Sequence, residues 1–301
     1  VLTLNFLLVS VFETKAQDIS NEVEEIIVTG SRIKTTATDS FSPVSIIGQE
    51  DILLSGKISI GEVLLELPGQ GSGLNRTYNN GGDGSVRIDF RNLGAQRTLV
   101  LVDGRRWVNS GEGADGSVDI NTIPTAAVER VEVLKDGASS IYGSDAIGAV
   151  INIITKDSYD GLDVSFQRGE YFDGGGLADN FSISMGSTFD GGSFIMGASY
   201  VDIHELSNGE RSQTAARPSN GGSAGTPQGR LAYSDVVPGC SSFQPTEGTS
   251  GSSSSDFRCW TSPDDRFNYN PYNYVETPNE RKNFFAKGTF EIAEDLSLIH
   301  I

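Results

Sequence analysis

The pattern of hydrophobic and polar positions changes near residue 157, and the chain divides there into two kinds of sequence. Upstream, short apolar runs alternate with glycine-punctuated turns. Residues 43–47 (PVSII) read as a short strand. Residues 59–69 (SIGEVLLELPG) read as a helix: Ser59 and Glu62 make a capping box, Val63, Leu64 and Leu67 share a face, and Pro68-Gly69 ends it. Residues 86–91 (VRIDFR) alternate as a strand does. Residues 98–102 (TLVLV) form a continuous, buried type of strand closed by the Asp103-Gly104 turn. A helical turn at 126–128, a strand at 130–134, a second turn at 139–142 and a last strand at 149–155 complete the pattern. Short strands interleaved with short helices predict a small α/β sandwich of about 130 residues.

From Gly161 the period becomes two. Leu162, Val164 and Phe166 alternate with Asp163, Ser165 and Gln167, and Phe181, Ile183 and Met185 with Ser182, Ser184 and Gly186. Phe194, Met196, Ala198 and Tyr200 alternate with Ile195, Gly197, Ser199 and Val201. Phe284, Ala286, Gly288, Phe290 and Ile292 alternate with Phe285, Lys287, Thr289 and Glu291. Each run approaches the roughly nine to eleven residues that a tilted transmembrane strand needs. A soluble β-sandwich alternates too, so connection lengths carry the distinction. Strands two and three share the tight turn at 190–192 (DGG), residues 202–280 separate three and four, and four and five share the turn at 293–295 (AED). Short and long connections alternate, as when one barrel rim faces the periplasm and the other the outside. That parity places Cys240, Cys259 and Trp260 outside the cell.

Composition agrees with strands and loops. Of 301 residues, 36 are glycine and 9% are aromatic, while only 37% are hydrophobic, a low fraction for a soluble core of this size. A net charge of −18 would repel a phosphate backbone, which disfavours a nucleic-acid partner. Residues 1–12 (VLTLNFLLVSVF) are too short to span a bilayer as a helix, and they match the apolar core of a secretory signal with a cut after Ala16. In an exported chain, two cysteines in one Ser/Gly/Pro-rich region point to a disulfide between Cys240 and Cys259 rather than a metal site. His204 and His300 stand apart from any nucleophile motif or zinc spacing, so no catalytic residue is identified and the chain is read as a non-enzyme without cofactor or metal. Ile26, Ile27, Val28 and Thr29 form an isolated β-prone run behind an acidic lead. From composition it pairs either internally or with the sheet edge of another protein.

Several pieces, taken in order, resemble a TonB-dependent outer-membrane receptor. They are residues 25–30 (EIIVTG), 91–94 (RNLG), 99–106 (LVLVDGRR), 123–124 (IP), 129–133 (ERVEV) and 137–156, with Tyr142-Gly143 and the run from Gly148 to Thr155. The resemblance covers roughly residues 24–156. It implies a signal peptide at 1–16, a TonB box and linker at 17–34, an α/β plug domain at 35–157, and at 158–301 the start of an antiparallel transmembrane β-barrel. The family barrel has roughly 22 strands, and about five are present here. Because five strands cannot close and open edges do not survive in hydrocarbon, the chain reads as part of a longer protein. Three departures stand out: Asn92 where glycine is usual, Lys135-Asp136 where Arg-Gly is common, and Ala149 in place of a second glycine.

The resemblance also implies roles. Glu25, Ile26, Ile27, Val28, Thr29 and Gly30 would add as an edge strand to TonB, the periplasmic energy-coupling protein. Arg91 and Lys135 would pair with glutamates of the barrel wall beyond residue 301. Residues 77–83 (TYNNGGD) and 110–119 (SGEGADGSVD) would be apex loops, with Tyr78, Asn79, Asn80, Glu112, Asp115 and Asp119 placed to touch a solute. The second loop lacks the ligand spacing of an EF-hand. The expected protein is an active transporter in the outer membrane of a Gram-negative bacterium, in contact with its lipid. Its solute would be of the kind of a siderophore, cobalamin, saccharide or peptide. Two rivals are a signalling receptor of the same fold, for whose extra domain residues 17–24 leave no room, and a secreted β-rich adhesin or carbohydrate-binding protein soluble without detergent.

Overall fold

The computed structural model describes residues 44–71, 75, 77, 84–110, 116–216, 221–232, 237–293 and 296–300. Residues 1–16, the run Glu25 to Gly30, and Tyr78, Asn79, Asn80, Glu112 and Asp115 lie outside the described residues.

The upstream unit is a five-stranded sheet with short helices. Strand β1 (Val44–Gly48) runs into helix α1 (Gln49–Leu54), followed by helix α2 (Ile60–Leu65). Strands β2 (Thr98–Val102) and β3 (Arg105–Arg106) form a hairpin about Asp103-Gly104, where Asp103 takes a left-handed φ of 48°. Strand β4 (Val128–Leu134), the helical turn α3 (Ser139–Tyr142) and strand β5 (Ala149–Thr155) complete it. The order is β1-β4-β5-β2-β3, antiparallel except where β2 lies parallel to β5. Both faces of the central pair are covered. Val100, Val102, Ile151 and Ile153 enter one apolar cluster with Leu64, Phe90 and Ile120, while Leu99, Leu101 and Val150 enter another with Leu134 and Ala146. Burial on two faces is why TLVLV carries no polar alternation.

Three local expectations need correction. Residues 86–91 are not a strand, although Val86, Ile88 and Phe90 are buried as their alternation predicts. Their backbone partners do not form a ladder: the Val86 N–H donates to Asp119 Oδ1 (2.9 Å), the Phe90 N–H to the side-chain Thr98 Oγ1 at the start of β2 (3.1 Å), and the Arg91 N–H to the Gly69 carbonyl (2.7 Å) in a single bridge between Gln70 and Phe90. Alternation reports which side chains are buried, not whether a neighbouring strand is within reach. Helix α2 ends at Leu65 rather than at Gly69; Ser59 caps it as expected, its Oγ accepting from the Glu62 N–H at 3.4 Å, while the Glu62 carboxylate accepts from the Ile58 N–H at 3.4 Å. Helix α1 escaped the sequence pattern because its apolar residues are adjacent, and of them Ile52 is buried while Leu53 and Leu54 are exposed. Arg91 and Asn92 both take left-handed φ values, 59° and 57°. Glycine or asparagine is therefore what the backbone asks for at position 92.

The downstream unit begins with β6 (Gly161–Gly169), β7 (Ala178–Phe189) and β8 (Gly192–Ile203). The long connection after β8 holds the short strands β9 (Leu206–Ser207), β10 (Phe243–Pro245), β11 (Phe257–Cys259) and β12 (Tyr274–Glu276). Strands β13 (Asn279–Ala293) and β14 (Leu296–His300) follow. The order β14-β13-β8-β7-β6 is antiparallel throughout, and among the described residues the sheet is open rather than closed. Leu162, Val164, Phe166, Phe284 and Ile292 are exposed on its outer face. No helix among the described residues is long and apolar enough to cross a membrane, which says nothing of strands.

Candidate functional site

The upstream domain sits against the inner face of the downstream sheet, and that interface is the candidate site. Asp163, Ser165, Gln167, Ser182, Ser184 and Ser199 line a cavity of about 130 Å³ whose opposite wall includes Ile52, Ile58 and Ile123. The polar alternates of β6 to β8 thus face the domain while the apolar alternates face away. Polarity is not uniform, however. Ile195, Val201 and Ile203 are buried on the same face, where Ile58 packs with Ala178, Val201 and Ile203. One direct neutral bond crosses beside them, from Gln167 Nε2 to the Gly56 carbonyl at 2.7 Å.

Charge crosses the interface at Lys287 on β13. Its side chain is 5% exposed, and Nζ donates to Asp103 Oδ2 at 3.1 Å, to Thr155 Oγ1 at 2.8 Å and to Asp157 Oδ1. Sequence reasoning had Lys287 only as one polar alternate of its strand. The available signal was a single lysine between Phe285 and Thr289 on the inward register of β13, but its partners lie 130 or more positions away. Nearby, Lys156 is buried with Nζ 5.5 Å from the centre of the Tyr159 ring. Burial pushes its amine below the ordinary lysine value, opposed by the charges of Asp163 and Glu129.

Arg91 is about half exposed and pairs within its own domain, Nη2 to Asp136 Oδ1 at 3.3 Å. Lys135 has no ion pair among the described residues. Among the described residues, neither of the two cations expected to reach the wall makes a hydrogen bond or ion pair with the five strands, and the partner of Arg91 is Asp136, next to Lys135. Asp119 closes the foot of its loop: Oδ1 accepts from the Val86 and Asn121 N–H groups at 2.9 and 3.0 Å. Among the described residues no cluster of His, Cys, Asp or Glu is arranged to hold a metal.

In the long connection, Cys240 and Cys259 form a disulfide with Cα atoms 5.4 Å apart. Arg230 stacks on the Trp260 ring at 4.1 Å. Arg258 and Asp265 make a fork, Nη1 to Oδ2 at 2.8 Å and Nη2 to Oδ1 at 2.6 Å, and the Thr261 N–H adds a bond of 2.7 Å. These bonds hold the Asp265 carboxyl well below the usual carboxylate range, the Arg258 bonds contributing most. Because the folded value is depressed, the stabilisation is present above the unfolded value near 3.9 and is lost as pH falls through the folded value. Asp265→Asn is thus expected to loosen this loop at pH 7 and to lose that effect toward the acid limit. Limited proteolysis of the loop across a pH series with an acid-tolerant protease checks the sign.

The comparisons with known proteins place this geometry in a class. Residues 36–150 match the family model of the TonB-dependent Receptor Plug Domain. The ferric enterobactin receptor of Pseudomonas aeruginosa superposes with a TM-score of 0.54 at 19% identity, over 86% of this chain and 32% of that one. The siderophore receptor PirA of Acinetobacter baumannii superposes with a TM-score of 0.55 at 20% identity, over 87% of this chain and 31% of that one. Residues 36–150 thus form a plug domain of the TonB-dependent receptor type, and the chain as a whole shares the fold of those structures, with antiparallel strands following the plug. It spans about a third of the length of the structures it matches.

Proposed function

We propose that this chain supplies the plug and the opening barrel strands of an outer-membrane active transporter in a Gram-negative bacterium. The transporter binds a scarce extracellular solute and imports it into the periplasm with energy that TonB delivers to the plug. One observation carries the reading: a plug of the TonB-dependent receptor type is seated on the polar face of antiparallel strands whose other face is apolar and exposed. Strands of nine to fifteen residues with one apolar face suit a bilayer, where the backbone must be paired and the exposed side chains must be hydrocarbon-like. The mechanism is binding and gating without covalent chemistry.

Within this reading, Glu25 to Gly30 is the TonB box, and the apex loops bearing Tyr78, Asn79, Asn80, Glu112 and Asp115 face the solute, with Asp119 fastening the second loop at its foot. Lys135, and Arg91 on exchange of its Asp136 partner, would pair with glutamates of the barrel wall. The solute is of the class of siderophores, cobalamins, saccharides or peptides. The siderophore receptors superposed above share the fold at an identity that leaves the choice open.

The test uses the full-length receptor with Ile27→Pro, since proline removes a backbone donor that edge pairing requires. Uptake is expected to fall to the level of cells without TonB, at unchanged surface amount and unchanged solute binding. Uptake at the wild-type level would make residues 25–30 structural and would favour a passive pore or an adhesin.

A further inference from the structure

Lys287 joins four parts of the molecule. Its backbone belongs to the wall, paired across β13 and β8 with Ile195. Its ammonium meets Asp103 in the β2–β3 turn, Thr155 at the end of β5, and Asp157 on the segment crossing from plug to wall. Val102, Trp107, Ile195 and Phe285 line the small apolar cavity beside it, so the stem packs in hydrocarbon while the charge reaches its partners.

Those partners are themselves fixed. Asp103 accepts from the Thr155 N–H at 2.8 Å and from Thr155 Oγ1 at 2.6 Å. The Gly104 N–H next to it donates to Asn152 Oδ1 at 3.0 Å. The Asp157 carbonyl accepts from Ser193 Oγ on β8 at 2.7 Å. Of the other plug-to-wall contacts described above, Gln167 to Gly56 and the Ile58 cluster are neutral and can slide or exchange partners with water, while Lys156 and Asp163 interact across the interface only through the pull of their charges. A buried ammonium cannot do so freely: separating it from its carboxylates leaves a charge on a side chain that is only 5% exposed.

We propose that Lys287 is a latch fastening the closing end of the plug to the wall. One ammonium fixes the β2–β3 turn and the crossing segment in a single position, and movement of this end of the plug along the wall requires the Lys287 contacts to break. The proposal rests on the plug-and-wall reading above and assigns a wall residue to its control. Lys287 is a positioning residue, since it touches no solute.

Hydrogen exchange of the full-length receptor in membranes or detergent tests it. In Lys287→Met, which keeps the stem and removes the charge, amides of residues 102–107 and 152–160 are expected to exchange about tenfold faster or more, as local opening loses its charge barrier. Residues 44–48 and 161–189 should keep their wild-type rates, and Lys287→Arg should restore most of the protection. Equal rates in Lys287→Met and wild type would overturn the latch. So would a uniform rise that includes strands β6 and β7, which would mean that Lys287 merely supports the wall. Should Lys287→Met fail to assemble, Asp157→Asn carries the test through its exposed partner: faster exchange confined to residues 156–160 supports the latch, and unchanged exchange overturns it. Exchange needs neither solute nor TonB, so a failed latch leaves the import reading intact, and failed import leaves the exchange result standing.

Discussion

Val164→Arg is expected to destabilise the assembled full-length receptor by roughly 2–4 kcal/mol, the cost of a cationic side chain at the bilayer midplane on a lipid-facing strand position. Val164 lies mid-way along β6, exposed on the outer face and paired with Ile183. The magnitude discriminates because an exposed valine-to-arginine change in water usually falls within about 0.5 kcal/mol. Ser165→Asn is the control on the adjacent, inward position, where the side chain borders the polar cavity, and little change is expected. Urea-dependent folding into lipid vesicles reads both. An unaffected Val164→Arg protein would mean that the apolar face does not meet lipid, and the soluble adhesin or carbohydrate-binding reading would return.

Ile151→Ala is expected to lower the stability of the plug by about 2–5 kcal/mol, the range for large-to-small changes in a closed core. Ile151 sits in the middle of β5, between Val100 on the parallel neighbour and Val133 on the antiparallel one, and is fully buried. A cavity there has strands on both sides, and the sheet cannot collapse to fill it without breaking ladder bonds. Ile154, three positions on and only half-buried, should cost clearly less when changed to alanine. Protease susceptibility of the plug in a urea series, with the wall strands as internal reference, measures the difference. Equal effects at the two positions would show that β5 is not the centre of the core.

Much of the architecture was legible before the structure. The runs at 98–102, 130–134 and 149–155 became strands because each is long enough, apolar enough and bounded by turn residues. The runs of period two became the wall, with their more apolar alternates outward. The failures have physical causes. Residues 86–91 alternate because one side is buried, yet their N–H groups are satisfied by Asp119, Thr98 and Gly69, so no ladder forms. Helix α1 has one buried residue, too few for a periodic signal.

The site was less legible than the fold. Asp103 was visible as a turn residue and Lys287 as a polar alternate, but nothing local to either position indicates the other. Arg91 and Lys135, singled out by resemblance, lie where Asp136 is the charge within reach of Arg91.

What the sequence by itself determined was the set of two-faced strands and their turns, since these follow from side-chain period and backbone preference within a few residues; the order of the plug's pieces was legible only through the resemblance. Only the tertiary structure decided which inward residues meet the plug as polar cavity, as apolar contact at Ile195, Val201 and Ile203, or as the charged junction at Lys287. Burial of a charge depends on what the chain brings to it from far away, and local pattern carries no record of that partner.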